Sequence, residues 1–296
     1  AWFRRSLIKA PLKANASLQA MSSGDNLQHL SPEQRMCLGI ISGMSAKCTN
    51  YPLLNWKNTT QQGLPLSINP KIVYRGLPAA LCNIGATTGV QFLLTGMFQD
   101  LIAGGRTMTD TERGVAAALG GAVSGVPCSL WELTMIQQQR FGGSLVSTPV
   151  RILKDHGVMQ FSRGMMMCMI RESGFCVTML AATPIIQEKI RVNYAETFGN
   201  DTALAIGSLA SAFVGATATH PVDTIKTCMQ GDLDRTKWTN AVRTGSILLA
   251  ERGVAQGLFS GLSWRMALIA TTFFLINKFK QDIAPKIFPK DDKNHH

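Results

Sequence analysis

The sequence predicts an all-α membrane protein, and three observations carry that prediction. The chain has 296 residues, 46% of them hydrophobic, and several windows of 15 to 23 residues are nearly free of charge, which is what a bilayer core selects. One such window, Ala203 to His220, runs eighteen residues without an acid or base other than the closing histidine. It leads into His220-Pro221-Val222-Asp223-Thr224-Ile225-Lys226, closed by Gln230, and that stretch recurs in weaker form twice upstream. Helices are expected because a lipid core offers the backbone no partner but itself.

Composition excludes several classes. Length alone would allow two soluble domains, but the charge-free windows argue against them. The net charge of +11 could suggest nucleic acid, yet the bases lie beside apolar spans and no nucleic-acid motif is present. Anionic lipid or an anionic solute fits better. Seven cysteines occur without CxxC or Cys/His zinc spacing. Five of them (Cys48, Cys82, Cys128, Cys168, Cys176) fall in or at the ends of apolar segments and read as small buried residues. No metal, nucleophile-base or phosphate-loop constellation appears, so an enzyme is not expected.

Residues 1–30 form a basic extension. Within 1–24 lie Arg4, Arg5, Lys9 and Lys13 and no acid before Asp25, the composition of a mitochondrial presequence or a disordered basic tail. The first long helix runs from about Ser31 to Gln61, with Ser31-Pro32-Glu33 as its start signal and Gly39 and Gly43 as a small-residue pair for close packing. Lys47 is a lone charge within it, costly in a membrane unless it faces a cavity or a partner. Pro52 occupies the proline position, Leu54 the acid position, Lys57 the base position and Gln61 the glutamine position, so this copy keeps its base and loses its acid.

Only 24 positions separate Pro52 from Gly76, against 37 from Pro127 to Gly164 and 40 from Pro221 to Gly261. The first unit therefore lacks most of a connecting helix, and Gly63 to Pro70 reads as a tight loop. Leu77 to Gln99 is free of charge and includes Asn83. Asp110-Thr111-Glu112 caps the next helix, Thr111 to Arg140, where Gly120, Gly121 and Gly125 allow close packing. There Pro127 is followed by Ser129 at the acid position and Glu132 at the base position, a reversed charge. Val146 to Phe161 reads as an amphipathic surface helix. The next span carries Arg171-Glu172, adjacent charges that should line a polar interior. The proline at 221 kinks its helix, and Asp223 and Lys226, three apart, share a face. Lys237 to Glu251 is a further amphipathic segment with Ala241, Val242, Ile247, Leu248 and Leu249 as its apolar face. Leu258 to Leu262 opens the last span, which carries Arg265, and the end from Lys278 is polar.

Pro-x-Asp-x-x-Lys at the end of a membrane helix, its two weaker copies, and the aromatic-x-Gly-Leu starts at Gly76 and Gly261 (Phe-Ser-Arg-Gly at 164) resemble the mitochondrial carrier family over roughly residues 32–285. Gly261-Leu-Ser-Trp-Arg265-Met-Ala-Leu268 and Leu119-Gly-Gly-Ala-Val-Ser-Gly125 are faintly similar to fungal citrate/oxoglutarate carriers. The resemblance implies six transmembrane helices in three tandem two-helix repeats (31–109, 110–200 and 201–296) with pseudo-threefold symmetry, short amphipathic matrix helices, and a multi-pass place in the mitochondrial inner membrane. It implies exchange of a small anionic or zwitterionic metabolite by alternating access, no cofactor, and bound lipid of the cardiolipin type. Lys47, Asn83, Arg171, Glu172 and Arg265 fall at or near solute-contact levels, and an arginine followed by an acid resembles amino-acid carriers.

In the family, signature acids and bases form a ring that closes the matrix side, and here Lys57, Glu132, Asp223 and Lys226 would form that gate. Asp223 should pair with Lys57, Leu54 would face Glu132 and Ser129 would face Lys226, with Glu132–Lys226 as a substitute pair. The gate motif of the even helices is missing, its nearest approach lying around Asn277 and Lys280. The weakened ring leaves a second expectation open: a carrier-fold protein that no longer transports and serves as an accessory subunit of a respiratory-chain complex.

Overall fold

Residues 32–104, 106 and 108–287 are described by a computed structural model, and every regular element among them is helical. The basic extension, Ser31 and the tail from 288 lie outside the described residues, as do the side chains of Asn277 and Lys280. Helix α1 spans Pro32–Gln62 with Pro52 inside it. Helix α2, Pro70–Val73, is a single turn. Pro70 opens it and the Asn69 side chain caps it, and four residues leave no face to bury. This is the place where the spacing predicts a missing helix. Helix α3 spans Leu77–Ala103 and α4 spans Asp110–Phe141.

The cap of α4 sits one residue earlier than expected. Thr109 Oγ1 accepts from Glu112 N at 3.3 Å and the Glu112 carboxylate accepts from Thr109 N at 2.9 Å. That reciprocal box needs cap and acid three apart, which makes Asp110 the first helical residue. Helix α5 is Ser147–His156, followed by a 3-10 turn at Val158–Ser162. Helix α7 is Ala241–Gly253 and α8 is Leu262–Ile287, joined by a π-type turn at Val254–Leu258.

Between them runs α6, Met165–Gly231, a helical run of 67 residues. Drawn straight it would measure about 100 Å, roughly three times a bilayer core. It folds back instead. A Cβ placed on Gly174 would stand 3.1 Å from Thr219 Cγ2, and one on Gly215 would stand 3.2 Å from Thr178 Cβ. Both pairs are centred between residues 196 and 197, so the expected fourth and fifth helices are antiparallel arms of one run. By length and composition, three helical stretches among the described residues can cross a membrane: Pro70–Ala103, Thr111–Phe141 and Ala241–Ile276. Helix α1 does not qualify because its second half, Thr49 to Gln62, is rich in Asn, Thr and Gln, much of it buried against other helices.

The helices close on themselves. α1 packs on α8, α3 on α4, α4 on α6, and α6 on α8. Three glycines repeat one contact around this ring. Gly76, Gly164 and Gly261 precede α3, α6 and α8 with φ of 86°, 74° and 78°. That left-handed conformation suits glycine, and the missing side chain lets each helix start abut another repeat's kinked helix. A Cβ on Gly76 would strike Met135 O of α4 at 2.9 Å. On Gly164 it would meet Gln230 and Lys226 of α6 at 3.1 and 3.3 Å, and on Gly261 Lys57 O of α1 at 3.0 Å. First repeat touches second, second touches third, and third touches first.

Tight helix contacts fall at Gly120, Gly121 and Gly125, where a Cβ would come within 2.1 to 2.8 Å of Thr95, Glu172 O and Met169. Gly39 and Gly43 have no such neighbour within 4 Å, so the approach expected there is not made among the described residues. The apolar clusters are small: Tyr51, Leu54, Ala79, Ala80, Met135 and Ile136 form one, and Cys228, Met229, Trp238 and Leu248 another. Leu54 thus joins Met135 and Ile136 on α4 rather than facing Glu132. On α7 only part of the expected apolar face is inward: Leu248 is buried, while Val242 and Leu249 are exposed.

Candidate functional site: a buried charge lock

Residues of α1, both arms of α6 and α8 converge on one acid. Asp223 is fully buried, and its Oδ2 lies 2.6 Å from Lys57 Nζ and 3.8 Å from Arg265 Nη1. Its Oδ1 lies 3.3 Å from Lys226 Nζ and 3.7 Å from Arg171 Nε. Gln61 Nε2 donates to the same carboxylate at 3.1 Å and to Thr224 Oγ1 at 3.2 Å. Few partners surround a charge so completely by accident, since an unpaired carboxylate here would be very costly.

The second centre is Glu132. Its Oε2 takes Lys226 Nζ at 2.6 Å and Arg171 Nη2 at 3.0 Å, and Arg171 Nη2 also stands 2.5 Å from Glu172 Oε1. The substitute pair considered from sequence is therefore present, with a third member attached. Ser129, expected opposite Lys226, accepts instead from Gln230 Nε2 at 3.1 Å. Lys57, Lys226, Arg171 and Arg265 thus meet Asp223, Glu132 and Glu172 in one network, four cations against three anions.

Arg265 is held by two further contacts: Nη2 donates to Thr219 Oγ1 at 3.0 Å, and Nη1 lies 3.4 Å from His220 Nδ1. His220 Nε2 is 2.9 Å from the Ser260 carbonyl. The proton therefore belongs on Nε2, which donates, and Nδ1 accepts from Arg265.

Lys47 makes no ion pair within 4.0 Å among the described residues. Asn83 is apart from the charges. Its amide donates weakly to Cys128 Sγ at 3.7 Å and its oxygen accepts from Thr87 at 2.7 Å.

Two features escape the sequence. The first is a polar layer tying the three kinked helices pairwise: Asn58 to Gln139 at 2.9 Å joins α1 to α4, and Gln137 to the Gln230 carbonyl at 2.8 Å joins α4 to α6. Gln61 completes it. The run Gln137-Gln138-Gln139 inside an apolar helix was the signal for this layer. The second is a donor group, Cys128, Glu132 and Cys168, whose ligand atoms lie within 4.8 Å of one another. Spacing shows only Cys128 and Glu132 one turn apart. Arg171 Nη2 already stands 3.2 Å and 3.5 Å from the two sulfurs.

Beyond the lock, the loop after α6 is fastened by Asp232. It accepts from the backbone N–H of Lys237 at 2.8 Å and Trp238 at 2.9 Å, and from Thr236 Oγ1 at 3.0 Å. Partial burial pushes this carboxyl up, but the N–H groups of Trp238 and Lys237 and the Thr236 hydroxyl hold it below the usual carboxylate value.

A bundle of long helices, with a buried charge lock where its proline-containing helices meet, has the architecture expected of a membrane carrier. Residues 200–283 match the family described as mitochondrial carrier protein. The chain is also 25% identical, over 227 residues, to a probable mitochondrial 2-oxoglutarate/malate carrier protein of Dictyostelium discoideum, covering 66% of this chain and 70% of that protein. Both matches support a divergent relative of the mitochondrial carrier family, whose members are transporters.

Proposed function

We propose that this protein exchanges a small dicarboxylate across the mitochondrial inner membrane by alternating access. Lys47, Arg171 and Arg265 hold the solute, with Asn83 and Glu172 at the edge of the site, and Lys57, Glu132, Asp223 and Lys226 close the matrix side. The observation that carries this reading is the charge balance. The network holds one positive charge in excess, and Lys47, without an ion pair, adds a second, which suits a dianion. The Dictyostelium relative, described as a probable 2-oxoglutarate/malate carrier, supports the same class. An amino acid fits less well, because Glu172, the acid that would receive its ammonium group, is taken by Arg171 at 2.5 Å.

The transport reading draws support from the way the lock is rebuilt. Leu54 and Ser129 remove two signature charges, yet Glu132 and Arg171 replace them with a paired network. A bound anionic lipid of the cardiolipin type also belongs to this proposal. A cavity of about 330 Å³ opens between Arg163, Gly164, Arg235, Asn240 and Ala241, at the first turns of α6 and α7, where free N–H groups favour phosphate.

The test is exchange in proteoliposomes loaded with malate, using labelled malate or 2-oxoglutarate outside. Uptake is expected, with its loss in Arg171→Ala. No exchange of either acid, together with stoichiometric co-migration with a respiratory complex on native gels, would overturn the proposal.

A further inference from the structure

Arg171 lies seven residues after Gly164, at the level assigned to solute, yet the structure spends it on the lock. The cause is one reversed charge. Position 132 lies five residues after its repeat's proline, where the other repeats carry Lys57 and Lys226. With an acid there, Lys226 and Arg171 are both drawn to the same oxygen, Glu132 Oε2, at 2.6 and 3.0 Å. Neither contact is a two-pronged fork. The guanidinium also leaves Nε without a hydrogen bond, and Asp223 Oδ1, 3.7 Å away, is likewise without one. A guanidinium is best satisfied by two parallel bonds to one carboxylate, and Glu132, shared with Lys226 through a single oxygen, does not supply them.

We propose that Arg171 is shared between the lock and the solute site, so that a solute carboxylate opens the lock by taking this guanidinium from Glu132 as a bidentate pair. This rests on the dicarboxylate-exchange reading. Before binding, Arg171 ties the first arm of α6 to α4 through Glu132 and, more weakly, to Asp223. After binding, Glu132 keeps Lys226 and Asp223 keeps Lys57 at 2.6 Å, and the first arm of α6 is left tied to these acids only by the weak Cys168 Sγ hydrogen bond to Glu132 at 3.4 Å. The lock therefore loosens first between α4 and the first arm of α6. Lys47, without an ion pair among the described residues, is the cation this proposal assigns to the second carboxylate. Solute and Glu132 compete for one side chain, and that competition links occupancy to opening.

The experiment uses the full chain in mild detergent with malate as the probe, reading Kd by calorimetry and Tm with and without malate. Glu132→Gln removes the competitor, so malate should bind about tenfold more tightly, equivalent to roughly 1.4 kcal/mol, while Tm without malate falls. Arg171→Lys keeps the charge and loses the fork. In that background malate should bind more weakly, and adding Glu132→Gln should leave Kd unchanged. Should Glu132→Gln fail to fold, Glu132→Asp, which withdraws the carboxylate by one methylene, should tighten malate in the same direction.

A Kd that Glu132→Gln leaves alone or raises would overturn the sharing. So would an equal gain in the Arg171→Lys background, which would mean that Glu132 acts on malate through space. Wild-type protein that binds no malate at all would sink the dicarboxylate reading and the sharing with it, whereas wild-type binding that is indifferent to Glu132 would sink the sharing alone.

Discussion

Asp223 shows why single residues matter so much in this protein. Its carboxylate lies within ion-pair distance of Lys57, Lys226, Arg171 and Arg265, so Asp223→Asn strands several buried cations at once. Removing one partner of a buried pair costs about 3–5 kcal/mol, and the thermal midpoint of the purified protein should fall accordingly. Lys57→Met should cost less, because three cations would remain around the acid. Asp232 makes a different prediction, since it fastens a loop outside the spans. Its pKa lies below the ordinary value of 3.8, so the stability it contributes is present above pH 3.8 and is lost as pH falls through its folded value. Asp232→Asn turns one acceptor into a donor facing the N–H groups of Lys237 and Trp238. At neutral pH it should destabilise by about 1–3 kcal/mol. The difference between variant and wild type in thermal scans should narrow once pH drops below that range.

At the scale of helices, glycine separates packing from propensity. A Cβ on Gly125 would stand 2.5 Å from Met169 Cα, a backbone atom that cannot move without shifting α6. Gly125→Ala should therefore destabilise by about 1–3 kcal/mol through overpacking. A Cβ on Gly39 would have nothing within 4 Å among the described residues, and there alanine should be neutral or raise stability by about 0.5–1 kcal/mol through helix propensity. Thermal denaturation of the two variants side by side checks the contrast. The same sequence pattern, glycines four apart, marks a contact in α4 and none in α1, because only the partner surface decides whether a small residue is needed.

At the scale of the whole molecule, the folding back of α6 decides whether the lock can form. Residues 174 and 219 are 45 apart, about 67 Å along a straight helix, yet a Cβ on Gly174 would stand 3.1 Å from Thr219 Cγ2. Gly174→Cys with Thr219→Cys should join on mild copper oxidation, seen as a linked peptide by mass spectrometry. A straight α6 would give no link. The first repeat breaks the symmetry of the molecule, since its connecting segment is one turn where the others have helices of 10 and 13 residues.

Much of this was legible in the sequence. Charge-free windows, the proline-acid-base stretch and its copies, and the unequal proline-to-glycine spacings determined an all-helical membrane protein with a shortened first repeat, because bilayer thickness and backbone hydrogen bonding act on composition and local order. The spacing also put Lys57 with Asp223 and offered Glu132 for Lys226. It could not show that Arg171 pairs with Glu132, that Gln137 and Gln139 bind across to other helices, or that a Cβ on Gly39 or Gly43 would meet no neighbour within 4 Å among the described residues. Those outcomes depend on which residues of distant helices arrive at the same depth. Tertiary structure alone sets that, because a buried charge takes whichever partner lies within 4 Å, whatever its place in the chain.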